Sequence, residues 1–170
     1  MHNNDTATHV GALRAIVVGV DPSPTAKRAL ASAIITARRF GVGCHVVHSW
    51  TYPVMAMTGP YAPTAAMMDL GPEEREWLAR LVDNTDSHGV EVTSEIVHGH
   101  AGLALVTIAA ALDAPFLFVG SVGHGAILAT LLGSVSQYCV HHATCPVVVV
   151  PPADREAPRP TLDDAIAASV

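Results

Sequence analysis

Residues 14–41 read RAIVVGVDPSPTAKRALASAIITARRFG, an apolar run followed by an amphipathic one. The apolar beginning is rich in β-branched residues and predicts a strand that is buried on both faces. Ser23 can cap a helix, Pro24 suits its first turn, and Gly41 can end it. The stretch therefore predicts a strand–turn–helix unit in which Asp21 stands directly after the strand.

The same alternation of strand-like and helix-like segments continues along the chain. Four more apolar segments predict strands at 43–50, 90–97, 114–120 and 145–151. The first helix is predicted within 21–41. Apolar residues at helical spacing predict three more helices between the strands, at 72–89, 100–113 and 133–143. This order predicts an α/β domain in which a parallel sheet carries helices on both faces.

Composition excludes several classes of protein. The chain has 170 residues, of which 50% are hydrophobic and 14% charged, with a formal net charge of −6. A basic stripe with interleaved aromatic residues is missing, so nucleic-acid binding is not expected, and no apolar run is long enough to cross a membrane. Cys44, Cys139 and Cys145 form no C-x-x-C pair, and Met1–His9 lacks a signal-peptide pattern, so we expect a reducing, cytoplasmic location.

The segment Thr51–Gly71 interrupts the alternation. It is punctuated by proline and glycine and contains four methionines. Connections of this length are uncommon inside a compact domain. The segment is either a simple surface loop or an adaptable cover for a ligand or partner.

The stretch VGSVGHGAILATLLGSVS, Val119–Ser136, contains an unusual density of glycine. Glycine leaves peptide N–H groups accessible, and the predicted helix that starts at Ser134 adds the positive end of its dipole. Hydroxyls of Ser134 and Ser136 add further donors. The pattern indicates a phosphate site built from main chain, without a lysine.

The loop after the first strand supplies the complementary chemistry. The Asp21 carboxylate accepts hydrogen bonds, which suits ribose hydroxyls or a metal ion. Val20 and the strand end from Val47 to Ser49 could form an apolar slot for adenine. In a doubly wound sheet, ligands lie at the carboxyl ends of the strands where the strand order reverses. We therefore expect Asp21 and Gly120 to face one crevice.

With these features the chain resembles the universal stress protein family, of the single-domain, ATP-binding type. The residues that carry the resemblance are VVGVDPSPTAKRAL at 17–30, HVVHSW at 45–50 and the block from 119 to 150. The family's ATP motif, G-x-x-G-(nine)-G-[ST], is matched at Gly120, Gly123, Gly133 and Ser134. The resemblance implies a three-layer, Rossmann-like, doubly wound α/β sheet, similar to adenine-nucleotide alpha-hydrolases, with five mainly parallel strands in the order 3-2-1-4-5.

The resemblance also implies roles for particular residues. Asp21 matches an aspartate near adenosine, and Ser49 matches a residue whose backbone meets adenine. The ribose and phosphate loop is matched by Val119, Gly120, Gly123, Gly133, Ser134, Val135 and Ser136. Two departures stand out, because many relatives have a basic or polar residue at Val122 and an aspartate at Pro115. His124, when protonated, is a candidate substitute for the lost phosphate contact.

The expected organisation is a flexible arm at 1–12, a nucleotide-binding domain at 13–151 and a tail at 152–170, with a short helix at 163–170. The apolar last strand lacks a following helix, and family members usually dimerise through it, so we expect a homodimer through Pro146–Val150.

The leading functional hypothesis is an ATP-binding regulatory dimer that signals in a stress response. The ATP could be bound with or without Mg²⁺. We expect the dimer to have a regulatory protein as partner, which the sequence does not identify. A slow ATPase or self-phosphorylating enzyme and a nucleotide-free scaffold are the alternatives. A resident metal site is not expected, because the pairs His98/His100 and His141/His142 lack suitable ligand spacing.

Overall fold

The computed structural model describes residues 14–51, 72–122 and 132–153. Within these ranges, strands and helices alternate along the chain as the sequence predicts. The elements are β1 (Ala15–Val20), α1 (Pro24–Phe40), β2 (Gly43–Trp50), α2 (Pro72–Asp83), β3 (Val92–His98), α3 (Ala101–Ala111), β4 (Leu117–Gly120), α4 (Ser134–His142) and β5 (Val147–Val150).

The strands form one sheet in the order β3-β2-β1-β4-β5. All four neighbouring pairs are parallel. The predicted α/β class and strand order are therefore confirmed. The direction of winding reverses between β1 and β4, so the carboxyl ends of these two strands form the switch point of the sheet.

The core lies in two layers, one on each face of the sheet. On one face, Ile16 and Val18 of β1 pack with Leu30 and Ile34 of α1, and α2 adds to the same cluster. On the other face, Val17 belongs to a cluster that α3 and α4 cover. Alternate residues of β1 are thus buried on opposite faces, as a continuously apolar central strand requires.

Helix α1 begins and ends at the predicted residues. The Ser23 hydroxyl accepts a hydrogen bond from the Ala26 N–H at 3.2 Å, and Pro24 is the first helical residue. Gly41 ends the helix with φ at 64°, a left-handed conformation that glycine adopts without strain. The local sequence therefore sets both ends of α1.

Helix α2 is shorter than predicted. It ends at Asp83 rather than at residue 89, because side chains bind its last carbonyls. The Asn84 amide donates to Arg80 O at 2.7 Å, and the Thr85 hydroxyl donates to Leu81 O at 2.6 Å. A turn with positive φ at His88 then leads into β3.

Helix α3 packs closely against α4. A Cβ at Gly102 would lie 2.8 Å from Tyr138 side-chain atoms, so glycine permits this approach. The Tyr138 ring stacks on His142 at 4.0 Å and lies 4.9 Å from His100. His100 is also the N-cap of α3, since its Nδ1 accepts the Leu103 N–H at 3.2 Å. The two helices are therefore joined by a column of three rings.

The three cysteines are free. Burial raises the pKa of Cys44 to about 12 and that of Cys139 to about 11, where the nearby Cys145 contributes further. At neutral pH these two thiols are protonated and pack as small apolar groups, as predicted. In the described part of the chain, none of the helices has the length and apolarity needed to cross a membrane. The arm at 1–12, nearly all of Thr51–Gly71 and the helix at 163–170 lie outside the described residues.

Candidate functional site

A cavity of about 450 Å³ opens at the switch point of the sheet. This volume is within the range of small-molecule sites. The structure brings ten predicted site residues to the wall of this one cavity: Val20, Asp21, Val47, Ser49, Val119, Gly120, Gly133, Ser134, Val135 and Ser136. Gly123 lies outside the described residues.

Helix α3 supplies part of the wall that the sequence pattern does not predict. Ala101 and Leu105 line the cavity together with Gly19 and Ala26. Leu105 is only 3% exposed and packs beside Val47 and Val119. Ala101 and Leu105 lie outside the stretches that carry the family resemblance, so only the packing of α3 on the sheet reveals their position. They make one side of the cavity apolar.

Asp21 is positioned by the first turn of α1. Its Oδ1 accepts the Ser23 N–H at 3.0 Å and also the Ser23 hydroxyl. A turn of this kind fixes an aspartate directly after a strand. The carboxylate is partly exposed where it lines the cavity, so it can meet a ligand.

A short chain of hydroxyls ties the loop after β1 to the loop after β4. The Ser23 hydroxyl lies 3.0 Å from the Thr25 hydroxyl, and Thr25 in turn donates to the carbonyl of Val122. Thr25 is 4% exposed. Its contact fixes the backbone of Val122, a residue that lines the cavity. Thr25 lies within the stretch 17–30 that carries the family resemblance, but the sequence pattern does not reveal this contact, because it spans 97 positions.

The packing of β4 against α1 requires a glycine at position 120. A Cβ at this position would lie 2.9 Å from Thr25 Oγ1 and 3.2 Å from the Thr25 backbone carbon. The sequence pattern predicts a glycine there for close approach of a ligand. The structure shows that β4 already needs a bare residue there in order to pass α1.

Helix α4 points its N-terminus at the cavity. Its N-cap, Gly133, has no side-chain hydrogen bond to the first turn, and its own N–H donates to Ser121 O at 2.7 Å. Ser134 is exposed at the mouth of the cavity, whereas Ser136 is buried. The Ser136 hydroxyl lies 2.9 Å from Gly133 O and 3.2 Å from Ser121 O. That hydroxyl therefore donates to the protein's own carbonyls, and its contact with a phosphate stays a prediction.

The opposite rim of the cavity is fixed at the end of β2. The Ser49 hydroxyl donates to Gly99 O at 2.7 Å, which ties this strand end to the loop before α3. On the other face, His48 Nδ1 lies 2.9 Å from Val20 O and the ring packs against Trp77. Both ends of the expected adenine slot are thus held by side-chain contacts to backbone carbonyls.

Fold and cavity together define an open, doubly wound α/β domain with a ligand-sized cleft at its switch point. The model of the universal stress protein family matches residues 12–151, and the chain belongs to this family. Universal stress protein Rv2005c of Mycobacterium tuberculosis is 31% identical over 153 residues, which cover 88% of this chain and 49% of that protein. The chain spans about half the length of such curated relatives.

Two similar solved structures contain nucleotides. A universal stress protein from Archaeoglobus fulgidus in complex with dAMP is 26% identical, with a TM-score of 0.59 over 81% of this chain and 97% of that one. A universal stress protein in complex with cAMP is also 26% identical, with a TM-score of 0.55 over 82% and 97% of the two chains.

Proposed function

We propose that this chain is a regulatory protein that binds an adenine nucleotide in the cavity at the switch point. The observation that carries the proposal is the convergence of Asp21, the end of β4 and the N-terminus of α4 on one cavity. The dAMP and cAMP complexes of two family members support it. ATP is the ligand that the family motif implies.

Each part of the wall suits one part of the nucleotide. Val47 and Leu105 offer an apolar surface for the base. The Asp21 carboxylate, oriented by Ser23, suits the ribose hydroxyls. Peptide N–H groups in the first turn of α4 suit a phosphate group, because the helix dipole favours negative charge there. A bound nucleotide would contact both loops that the Thr25 hydroxyl joins, and this connection gives the ligand a route to change the protein.

A charge placed at the mouth of the cavity tests the proposal. Ser134→Asp adds a carboxylate at the first residue of α4, where it favours the helix but repels a phosphate. Gln137→Glu adds the same charge one turn later at an exposed position outside the cavity. We expect Ser134→Asp to weaken nucleotide binding by about tenfold, the scale of one like-charge contact near a surface, and Gln137→Glu to have a much smaller effect.

Equilibrium dialysis with ATP, AMP and cyclic AMP measures the affinities. The proposal fails if the folded wild-type protein retains none of these nucleotides at millimolar concentration. It also fails if Ser134→Asp binds them as tightly as the wild type does.

The edge of the sheet supports a second part of the proposal, a homodimer through Pro146–Val150. The carbonyl of Pro146 accepts a hydrogen bond from Leu117 N–H in β4, and the carbonyl of Val150 accepts one from Ser121 N–H just after β4. The N–H and C=O groups of Val147 and Val149 therefore point away from the sheet. These two side chains are partly exposed. Pairing with a second copy would cover this edge. We propose that the dimer acts as a stress signal on another protein in the cytoplasm, a setting that the free thiols support.

Light scattering after size-exclusion chromatography tests the dimer. The wild type should have twice the mass of one chain at micromolar concentration. Val149→Pro removes an outward N–H and should give a folded monomer, whereas Val148→Pro should disturb the pairing with β4 and lower stability. A monomeric wild type would contradict the proposal.

A further inference from the structure

The side chain of His100 accepts a hydrogen bond that only a neutral imidazole can accept. His100 is the N-cap of α3, and its Nδ1 accepts the Leu103 N–H at 3.2 Å. In an imidazolium both ring nitrogens carry a proton, so the charged form has no acceptor for this N–H. Protonation also brings a positive charge to the positive end of the α3 dipole. The N-cap of α3 therefore depends on the charge of one histidine.

The titratable groups near His100 do not compensate that charge. Helix α3 has no charged side chain, and β3 ends two residues earlier at His98. From α4, the Tyr138 ring contacts His100, and His141 and His142 lie beyond it. In the described part of the chain, His100 forms no ion pair with a carboxylate. A protonated His100 would thus lose its hydrogen bond without gaining an opposite charge from these residues.

His142, at the other end of the ring column, responds to protonation differently. Its Nδ1 lies 2.9 Å from Tyr138 O, and because a carbonyl only accepts, Nδ1–H is the donor in both charge states. A positive charge on this ring is favoured by the C-terminus of α4 and by the stacked Tyr138 ring. Of these two histidines, only His100 loses its hydrogen bond on protonation, so His142 is a matched control.

The cap lies between two parts of the cavity wall. Before it, Gly99 O accepts the Ser49 hydroxyl at 2.7 Å, and Gly99 N–H donates to Trp50 O at 3.1 Å. After it, Ala101 begins α3 and lines the cavity, as does Leu105 one turn later. Loss of the cap would loosen the first turn of α3. It would therefore loosen the apolar wall that suits the base.

We propose that His100 is a positioning residue that makes nucleotide binding depend on pH, so that acidification weakens it. The inference rests on the proposed function and names a regulation of the same cavity. The capped form of α3 binds one proton fewer than the uncapped form, so a falling pH favours the uncapped form. Histidine side chains change their charge between about pH 8 and pH 5, and binding weakens in this range.

Two measurements on the wild type, each at about pH 7.5 and about pH 5.5, test the coupling. Calorimetry with cyclic AMP measures affinity, because the charge of this phosphodiester is constant over the range. Hydrogen exchange of the protein without nucleotide measures the protection factor of the Leu103 amide. At the lower pH we expect the protection factor to fall about fivefold, the effect of losing a typical N-cap. We expect the affinity to fall by about twofold to fivefold, because fewer molecules have the binding-competent wall.

Two variants assign the effect to one ring. His100→Asn keeps an acceptor at the N-cap that does not titrate, so it should lose most of the pH dependence of both measurements. His142→Gln removes the other titrating ring of the column and should keep the wild-type pH dependence. If AMP binds and cyclic AMP does not, AMP is the probe, and comparison with His100→Asn removes the effect of phosphate titration.

The outcomes separate this inference from the proposed function. If the folded wild type binds none of these nucleotides at pH 7.5, both fail. If it binds as tightly or more tightly at pH 5.5, or if His100→Asn has the wild-type pH dependence, the coupling is refuted while nucleotide binding stands. Should His100→Asn unfold, the wild type decides, because an unchanged protection factor at Leu103 refutes the role of the cap.

Discussion

Replacing Thr25 by valine tests whether the hydroxyl chain holds the two cavity loops together. The Thr25 hydroxyl contacts Ser23 Oγ and donates to Val122 O, and the residue is 4% exposed. Each such hydrogen bond contributes about 0.5–1.5 kcal/mol, so Thr25→Val should lower the free energy of unfolding by about 2 kcal/mol. Ser23 keeps Asp21 and the Ala26 N–H as partners, so the Val122 carbonyl is the group that loses a hydrogen bond.

Thr36→Val in the same helix is a matched control. The Thr36 hydroxyl donates only to Ser32 O, at 2.8 Å within α1. That carbonyl keeps its helical hydrogen bond in the variant, so we expect a change under about 0.5 kcal/mol. Urea unfolding followed by tryptophan fluorescence measures both variants, since Trp77 packs against the core. Nucleotide affinity should fall in Thr25→Val only. Equal losses of stability in the two variants would refute the reasoning.

Two further expectations concern packing and buried thiols. Gly120→Ala should lower Tm by about 5 °C, because the new Cβ meets side-chain and backbone atoms of Thr25. Gly19→Ala should lower Tm less, because its Cβ meets the movable end of the Leu105 side chain. Calorimetry that finds the larger fall in Tm for Gly19→Ala would contradict this explanation. Burial raises the pKa of Cys44 to about 12. The native state therefore keeps a thiol proton that the unfolded chain loses above about pH 9. The free energy of unfolding should fall as pH rises beyond that point. Urea titrations at pH 8 and 10.5 should show that the free energy of unfolding falls less in Cys44→Val than in the wild type. An identical fall in both proteins would show that the Cys44 thiol does not cause it.

Local sequence signals were sufficient to predict the order of the strands and helices and the residues at which several of them begin or end. Ser23, Pro24 and Gly41 act within a few residues of their own positions, and the structure confirms all three. His100 was not predicted as an N-cap, because histidine is not among the common capping residues. The end of α2 was placed too late, since it depends on the side chain of Asn84.

The cavity was partly predictable for a physical reason. Parallel strands place their carboxyl ends along one edge of the sheet, so Asp21 and the residues after β4 could be brought together from topology alone. The contact from Thr25 to Val122 spans 97 positions and follows only from how α1 packs on β4. The direction of the Ser136 hydroxyl depends on the rotation of α4, which the sequence pattern does not specify.

The ring column at Tyr138 bears on how the molecule opens locally. Helix α4 has nine residues, of which only Ser136 and Cys139 are buried, and its contacts with α3 include the half-buried Tyr138 ring, which lies against Gly102 and the His100 ring. Regions with little buried apolar surface open before the core does. Amide protons of α4 should therefore exchange with deuterated solvent well before those of β1, and an occupied cavity should slow that exchange. Protection of this one helix would then report occupancy without a labelled ligand.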